Sequence, residues 1–304
     1  MLIAFGMLLA MIYCFKRTKT FGIDGDRLTD TVFAGLIGAV IGARLYYVVL
    51  HAESFHDIRD FFAIRDGGLA IYGGILGALL FGCITAKIRK LRILPTLDLA
   101  SMGFLIGQAV GRWGNFFNQE AFGCNTTLPW GMSGGKIQQY LLNHQASLAA
   151  QGMDINPYLP VHPCFLYESI WCAVGFLILC LYHKHRKFDG EVFCMYVLWY
   201  GTGRFFIEGL RTDSLYIGSV RASQMLALIS AIAALVIIIA MRIRVKKKGT
   251  VLYCDTDESK AILEAAANAE KDAEERRKAR KHKELTEEQK IVSEDESDEN
   301  TEDK

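Results

Sequence analysis

Three features of the sequence predict an all-α fold of about seven membrane-spanning helices. Apolar runs recur along most of the chain, basic residues gather in every second connection, and the few charges inside the runs crowd toward one end. A helix needs roughly 20 apolar residues to cross a bilayer core. Runs near that length lie at about 1–15, 32–50, 68–86, 97–117, 164–183, 192–208 and 223–241. The overall hydrophobic content of 51% hides an uneven distribution. From Gly249 onward, the last 56 residues hold 18 of the 33 acidic residues but only 10 of the 34 basic ones. The net charge of +1 therefore averages a basic body and an acidic tail. The expected division is a membrane domain over 1–241 and a cytoplasmic charged tail over 242–304.

The first run is short and opens the chain. A signal peptide would have its basic residues in front. Here Lys16 and Arg17 follow the apolar stretch and no small-residue cleavage site is evident, so the run reads as a first spanning helix. The connections then set the orientation, because cytoplasmic loops are enriched in Lys and Arg. The first, third and fifth connections and the segment after the last run carry 16 basic residues; the other side carries 5. This predicts an N-terminus outside, a polar segment 118–163 outside, and a C-terminus in the cytoplasm. In the tail, AILEAAANAEKDAEERRKARKHKELTEEQ suits a solvated helix. SEDESDENTEDK has no apolar residues and suits disorder.

This orientation gives depth to the polar residues inside the runs. Arg44, Arg112 and Arg204 lie late in outward-running helices. Tyr72, Tyr167 and Glu168 lie early in inward-running ones, and Glu208 sits at an outer end. Charges within a span are costly and usually face a cavity or a partner. Their shared depth predicts one polar cavity near the outer leaflet. For Arg44 alone, snorkelling to headgroups is an equally good account. Arg112 is harder to dismiss, since Asn115, Asn118, Gln119 and Glu120 follow within two turns. Arg112 and Asn115 share a helix face, as do Arg204 and Glu208. A structural ion pair is the plainer account of the latter two. Gly103, Gly107 and Gly111 recur at the spacing that lets helices approach closely in lipid.

Arginine forks match phosphate, and at an outer leaflet the abundant phosphate is the phospholipid headgroup. No metal site or other cofactor is expected: His162, His51 and His56 lack partners at ligand spacing. No G-x-S-x-G stands at a strand–helix junction, so a Ser-His-Asp hydrolase is not evident. The eight cysteines fall mostly in apolar runs, as small buried hydrophobes do. No nucleic-acid partner is expected.

The stretch GRWGNFFNQEAFG at 111–123 resembles the signature of the prolipoprotein diacylglyceryl transferases. Four more segments resemble that family in the same order: IGARLYYVV at 41–49, DGGLAIYGGILG at 66–77, HPCFLYES at 162–169 and YGTGRFFIEGLRTD at 200–213. The resemblance runs to about residue 241 and leaves out the tail. It implies a seven-helix enzyme of the bacterial cell membrane. Such an enzyme moves the diacylglyceryl group of phosphatidylglycerol onto the lipobox cysteine of a preprolipoprotein, and glycerol phosphate leaves.

By the same resemblance, Arg112 is the signature arginine at the lipid headgroup and Asn115 lies beside it. Asn118, Glu120 and Gly123 belong to the same substrate-binding stretch. Arg204 and Glu208 match a second essential pair, with Glu208 an orienting carboxylate or base. His162, Tyr167 and Glu168 match a segment supporting the cavity, and Arg44 joins the substrate-binding set. Many members have histidine where this chain has Tyr72, and that histidine is a proposed base. A tyrosine, with a reference pKa near 10, is a poor base at neutral pH. So Tyr72 joins Arg204 and Glu208 as a catalytic candidate that donates a hydrogen bond, or the base lies elsewhere, or no dedicated base is needed. Members also usually carry more residues before the first helix. A transporter of lipids or organic anions is the alternative reading. It would show related halves and a midplane site, and no convincing internal repeat is visible.

Overall fold

The computed structural model describes residues 1–50, 68, 70–212, 216–217 and 220–302; side chains at 71–72, 216–217, 220, 281 and 283–302 lie outside the described set. The chain forms two compact units, Met1–Asp255 and Thr256–Lys304.

The first unit is a helical bundle. Its helices are α1 (Leu2–Arg17), α2 (Gly25–Leu50), α3 (Ile71–Ile88), α4 (Ile93–Asn118), α5 (Gly135–Ala150), α6 (Cys164–Tyr182), α7 (Glu191–Glu208) and α8 (Ala222–Lys248). A small antiparallel hairpin, β1 (Tyr216–Ile217) with β2 (Val220–Arg221), separates α7 from α8. Among the described residues, four helices are long and apolar enough to cross a membrane: α2, α4, α6 with the turn after it, and α8. The described apolar part of α3 is shorter. Helix α1 has 16 residues. Helix α7 has 18 residues but carries Glu191, Arg204 and Glu208. Large apolar side chains such as Ile37, Leu80, Leu177 and Leu226 stand more than half exposed on these helices. In water such an apolar surface would be a liability; against lipid tails it is the matched face.

Small residues decide which helices meet. Helices α2 and α3 form the most extensive described pair. A Cβ added at Gly38 would come within 2.6 Å of the Gly77 carbonyl, and one at Gly42 within 2.8 Å of the Gly77 Cα. On α4, Gly107 faces Gly6 of α1, whose Cβ would come within 3.2 Å of the Gly107 carbonyl. Gly103 of the same stripe seats Cys14. Gly111 has open space beside it.

The end of the bundle away from Arg112 is tied by buried polar groups. Asp98 of α4, fully buried, accepts the N–H groups of Gly190 (2.8 Å) and Phe193 (2.9 Å). A carboxylate so placed satisfies the orphan donors at the start of α7 and suits its dipole. Glu191, also fully buried, accepts from Tyr182 (2.9 Å) and from Arg242 Nε (2.7 Å), joining α6, α7 and α8. After α8 the chain folds back as a 3-10 turn, Tyr253–Asp255. Tyr253 is 9% exposed; its N–H donates to Asp189 Oδ2 at 2.9 Å and Arg92 lies 5.6 Å over its ring.

The segment between α4 and α6 has its own apolar core, with Ile137, Leu141 and Leu148 of α5 against Phe122, Ile155 and Val161. The second unit is one helix, α9 (Asp257–Glu302). It covers the stretch the sequence assigns to a partly helical tail. It has no apolar stripe and carries helical ion pairs such as Lys278–Glu274 at 2.7 Å.

Candidate functional site

The polar residues at 112–120 end an apolar helix and turn the chain. Helix α4 closes where Gln119 takes a left-handed conformation (φ 59°), with Glu120 N–H donating to Asn115 O at 2.8 Å. Gln119 is not a glycine, and its side chain compensates: Oε1 accepts Lys136 N–H at 2.9 Å, at the orphan-donor start of α5. Gly123 then lies between two other segments. Its N–H donates to His162 O (2.8 Å), and Cys124 N–H donates to Leu210 O (2.9 Å). A Cβ at Gly123 would sit 2.8 Å from the Leu210 carbonyl and 3.0 Å from Cys164 Sγ. Only glycine allows this approach, which brings the start of α6 to the end of α7.

Those two ends carry the charges. Glu168 of α6, 4% exposed, bridges two arginines: Arg112 Nε of α4 meets Oε2, and Arg204 Nη1 of α7 meets Oε1. Arg204 Nη2 lies 2.7 Å from Glu208 Oε2. Ser223 of α8 donates to Glu208 Oε1 at 2.5 Å, and Arg221 donates to the Glu208 backbone carbonyl. One chain of ion pairs and hydrogen bonds thus links α4, α6, α7 and α8. The guanidiniums of Arg112 and Arg204 balance the carboxylates of Glu168 and Glu208 with which they pair, and Arg221 adds a third guanidinium on a backbone carbonyl. The Oε2 atoms of Glu168 and Glu208 accept no well-aligned hydrogen bond, although both lie at ion-pair distance from a guanidinium.

The remaining sequence candidates fall around this chain. Asn115 reaches Glu120 at 3.5 Å, and Asn118 and Glu120 are exposed. His162 and Tyr167 turn toward the segment above: Tyr167 hydroxyl lies 3.0 Å from His162 Nδ1 and accepts Trp130 Nε1–H at 3.0 Å. Arg44, 5% exposed, donates to Gly68 O at 2.9 Å and lies 5.8 Å over Tyr47, so it is tied to the segment before α3. The Tyr72 side chain lies outside the described residues. Sequence reasoning missed Ser223, Arg221 and Tyr200. Tyr200 stacks on Tyr196 at 5.9 Å and lies within electrostatic reach of Arg112, Glu168 and Arg204. Its position four residues before Arg204 was the available signal. Ser223 had none, because it meets Glu208 only through the return of the chain.

Below Arg112 an apolar groove of about 550 Å³ runs between α1, α2 and α4. Met7 and Met11, Leu28 and Val32, and Leu99 and Phe104 line its three walls. Arg112 and Asn115 stand at one end and Thr96 at the other. Nineteen residues of α4 separate the ends, roughly 28 Å along the axis. Among the described residues no group of three or more His, Cys, Asp or Glu side chains is placed to hold a metal.

An apolar helical bundle with a lipid-length groove that ends at Arg112, itself joined through Glu168 to Arg204, defines a helical membrane protein. A family model described as prolipoprotein diacylglyceryl transferase matches residues 1–240, and the chain belongs to that family. A phosphatidylglycerol–prolipoprotein diacylglyceryl transferase of Clostridium novyi is 39% identical over 246 residues, covering 81% of this chain and 91% of the relative. The enzyme of that name from Enterococcus faecalis is 41% identical over 247 residues (79% and 84% covered). That from Thermotoga maritima is 40% identical over 237 residues, 74% of each chain.

Proposed function

We propose that the protein transfers the diacylglyceryl group of phosphatidylglycerol to the lipobox cysteine of preprolipoproteins, the first step of bacterial lipoprotein maturation. The observation that carries this reading is the apolar groove ending at Arg112, with Arg204 joined to Arg112 through Glu168. The groove suits an acyl chain, and the arginines suit the phosphate above it. The comparisons give the transporter reading no support.

In the proposed step the cysteine sulfur attacks the lipid glycerol carbon that bears the phosphate. A C–S bond forms and the C–O bond breaks. The electron pair leaves on the phosphate oxygen of glycerol phosphate. Arg112 and Arg204 stabilise the charge that develops there. The thiol must lose its proton to react. Glu208, 2% exposed and held by Arg204 and Ser223 at the end of α7, is the proposed acceptor. Glu168 holds the two guanidiniums together before the lipid arrives. Asn115, Asn118 and Glu120 border the headgroup. Gly123, His162 and Tyr167 support the site through the strap they build. Arg44 belongs to the substrate-binding set, and Tyr72 to the catalytic set as a hydrogen-bond donor.

The same reading has seven spans, α1–α4 and α6–α8, in the cytoplasmic membrane. The N-terminus and α5 face outward, so the acceptor protein meets the arginine end from outside. The transferase domain takes up 1–241 and the charged tail 242–304 is cytoplasmic. The test is direct. Purified protein, phosphatidylglycerol and a lipobox peptide are combined, and mass spectrometry looks for the diacylglyceryl adduct. Wild type is expected to form it and Arg112→Ala to lose it. Folded wild type that forms none overturns the reading.

A further inference from the structure

Helices α6 and α7 are joined by a reciprocal pair of tryptophans. Trp171 of α6 donates its indole N–H to the Trp199 carbonyl at 2.9 Å. Trp199 of α7 donates to the Trp171 carbonyl, also at 2.9 Å. The rings stack with centroids 4.3 Å apart and planes 17° from parallel. Each carbonyl is open to an indole because the residue four positions on is glycine. In a helix the side chain at that position stands over the carbonyl. Gly175 follows Trp171 and Gly203 follows Trp199, and a Cβ at either would strike the opposing indole.

Buried indole N–H groups generally find a partner, so the hydrogen bonds alone call for no function. The location does. Glu168 precedes Trp171 by three residues, about 4.5 Å along the axis. Arg204 is the residue after Gly203. The Glu168–Arg204 ion pair is therefore the next α6–α7 contact above the tryptophans. A slip of one residue between these helices, roughly 1.5 Å, would break both indole bonds and the ion pair together. On its other side α7 is held to α8, where a Cβ at Gly201 would meet the Ala227 carbonyl at 2.8 Å.

We propose that the Trp171–Trp199 pair is a positioning device. It sets the register of α6 against α7. It thereby holds Arg204 and Glu168, and through Glu168 also Arg112, at the separation the lipid phosphate requires. The tryptophans touch no reacting atom. The inference rests on the transferase reading and names residues that reading does not use.

The experiment uses Trp171→Phe and Trp199→Phe in the full chain, which keep an aromatic ring and lose the N–H. Phe176→Leu is the control: it removes an edge contact with Tyr13 (5.0 Å) on the same helix, away from the charges. Initial rates against phosphatidylglycerol and thermal midpoints are measured for each. The tryptophan variants should lose roughly 10- to 100-fold in kcat/KM, the scale of a small misplacement of reacting groups. The control, with an equal or larger drop in Tm, should stay within about twofold of wild type. The second readout is a Tm cycle of Trp171→Phe with Glu168→Gln. The two shifts should be non-additive, because each acts on one contact set. Rates that follow Tm alike in control and tryptophan variants overturn the proposal, as do additive shifts. If folded wild type makes no adduct, the transferase reading fails instead, and the cycle still decides whether the tryptophans position the ion chain.

Discussion

Glu168 is the residue on which the charged chain turns. It is buried, and two of the three arginines that the sequence places at similar depth, Arg112 and Arg204, converge on its two oxygens. Removing its charge leaves two partly buried guanidiniums with one carboxylate between them. Breaking a buried pair on one side costs about 3 kcal/mol or more. Glu168→Gln should therefore lower the thermal midpoint by several degrees and reduce transfer, measured in one preparation. Arg204→Lys tests geometry with charge held constant. A lysine has no planar fork and cannot serve Glu168 and Glu208 at once. Its kcat/KM should fall at least about tenfold, and its Tm should fall less than that of Glu168→Gln because the positive charge is kept. Asp189, outside the spans, carries a pH dependence. Burial pushes its carboxyl above the usual carboxylate value, against the opposing pull of the Tyr253 N–H and Arg186. A raised folded value means that its stabilising contribution is present at acid pH and is lost as pH rises through that value. Asp189→Asn stays neutral. It should match wild type in Tm near pH 4, about the ordinary carboxylate value, and exceed it at neutral pH. A gap that shrinks as pH rises would contradict this.

At the scale of elements, the spans were readable because lipid imposes a long apolar run on each. Each predicted run overlaps a helix, but α2 at Gly25–Leu50 begins seven residues before its run, α8 at Ala222–Lys248 ends seven residues after its run, and α5 had no predicted run. Pairing was less readable. A glycine stripe signals close approach but not the partner. Gly103 and Gly107 of α4 meet α1, while Gly38 and Gly42 of α2 meet Gly73 and Gly77 of α3. The α2–α3 contact is nearly backbone on backbone, so a side chain there has no space to enter. Gly77→Leu should force the two helices apart and sharply cut the yield of folded protein in size-exclusion runs. Gly82→Leu, with open space around it, should leave the yield unchanged. The turn at Tyr253–Asp255 was not predicted at all. It has no periodicity, and its hold on Asp189 and Arg92 arises only after the bundle forms.

The whole molecule combines an apolar groove, a charge-balanced chain at its mouth and a charged second unit. The turn at Tyr253 packs within the first unit, although it lies beyond the last apolar run. Ending the chain after Asp255 should leave Tm and transfer close to wild type. Ending it after Lys248 exposes the Asp189 and Arg92 face and should lower Tm by several degrees. Equal stability of the two truncations would show that the turn contributes nothing.

The sequence by itself determined the helices, their apolar faces and the identity of the charged residues. Those follow from local rules: a spanning length, an apolar period and the cost of charge in lipid. It also marked Arg112, Arg204 and Glu208 as one set, through their shared depth and helical spacing. Only the tertiary structure decided that Glu168 stands between the arginines, that Ser223 and Arg221 reach Glu208, and that Arg44 is tied to Gly68. Gly123 and the tryptophan pair also gained their meaning there, Gly123 from the backbone segments at His162 and Leu210 and the tryptophans from the facing helix. Depth along a helix is written in sequence order. The direction of a side chain across the bundle depends on which helix stands opposite, and that is fixed only when the apolar faces and glycine contacts of all the helices are satisfied together.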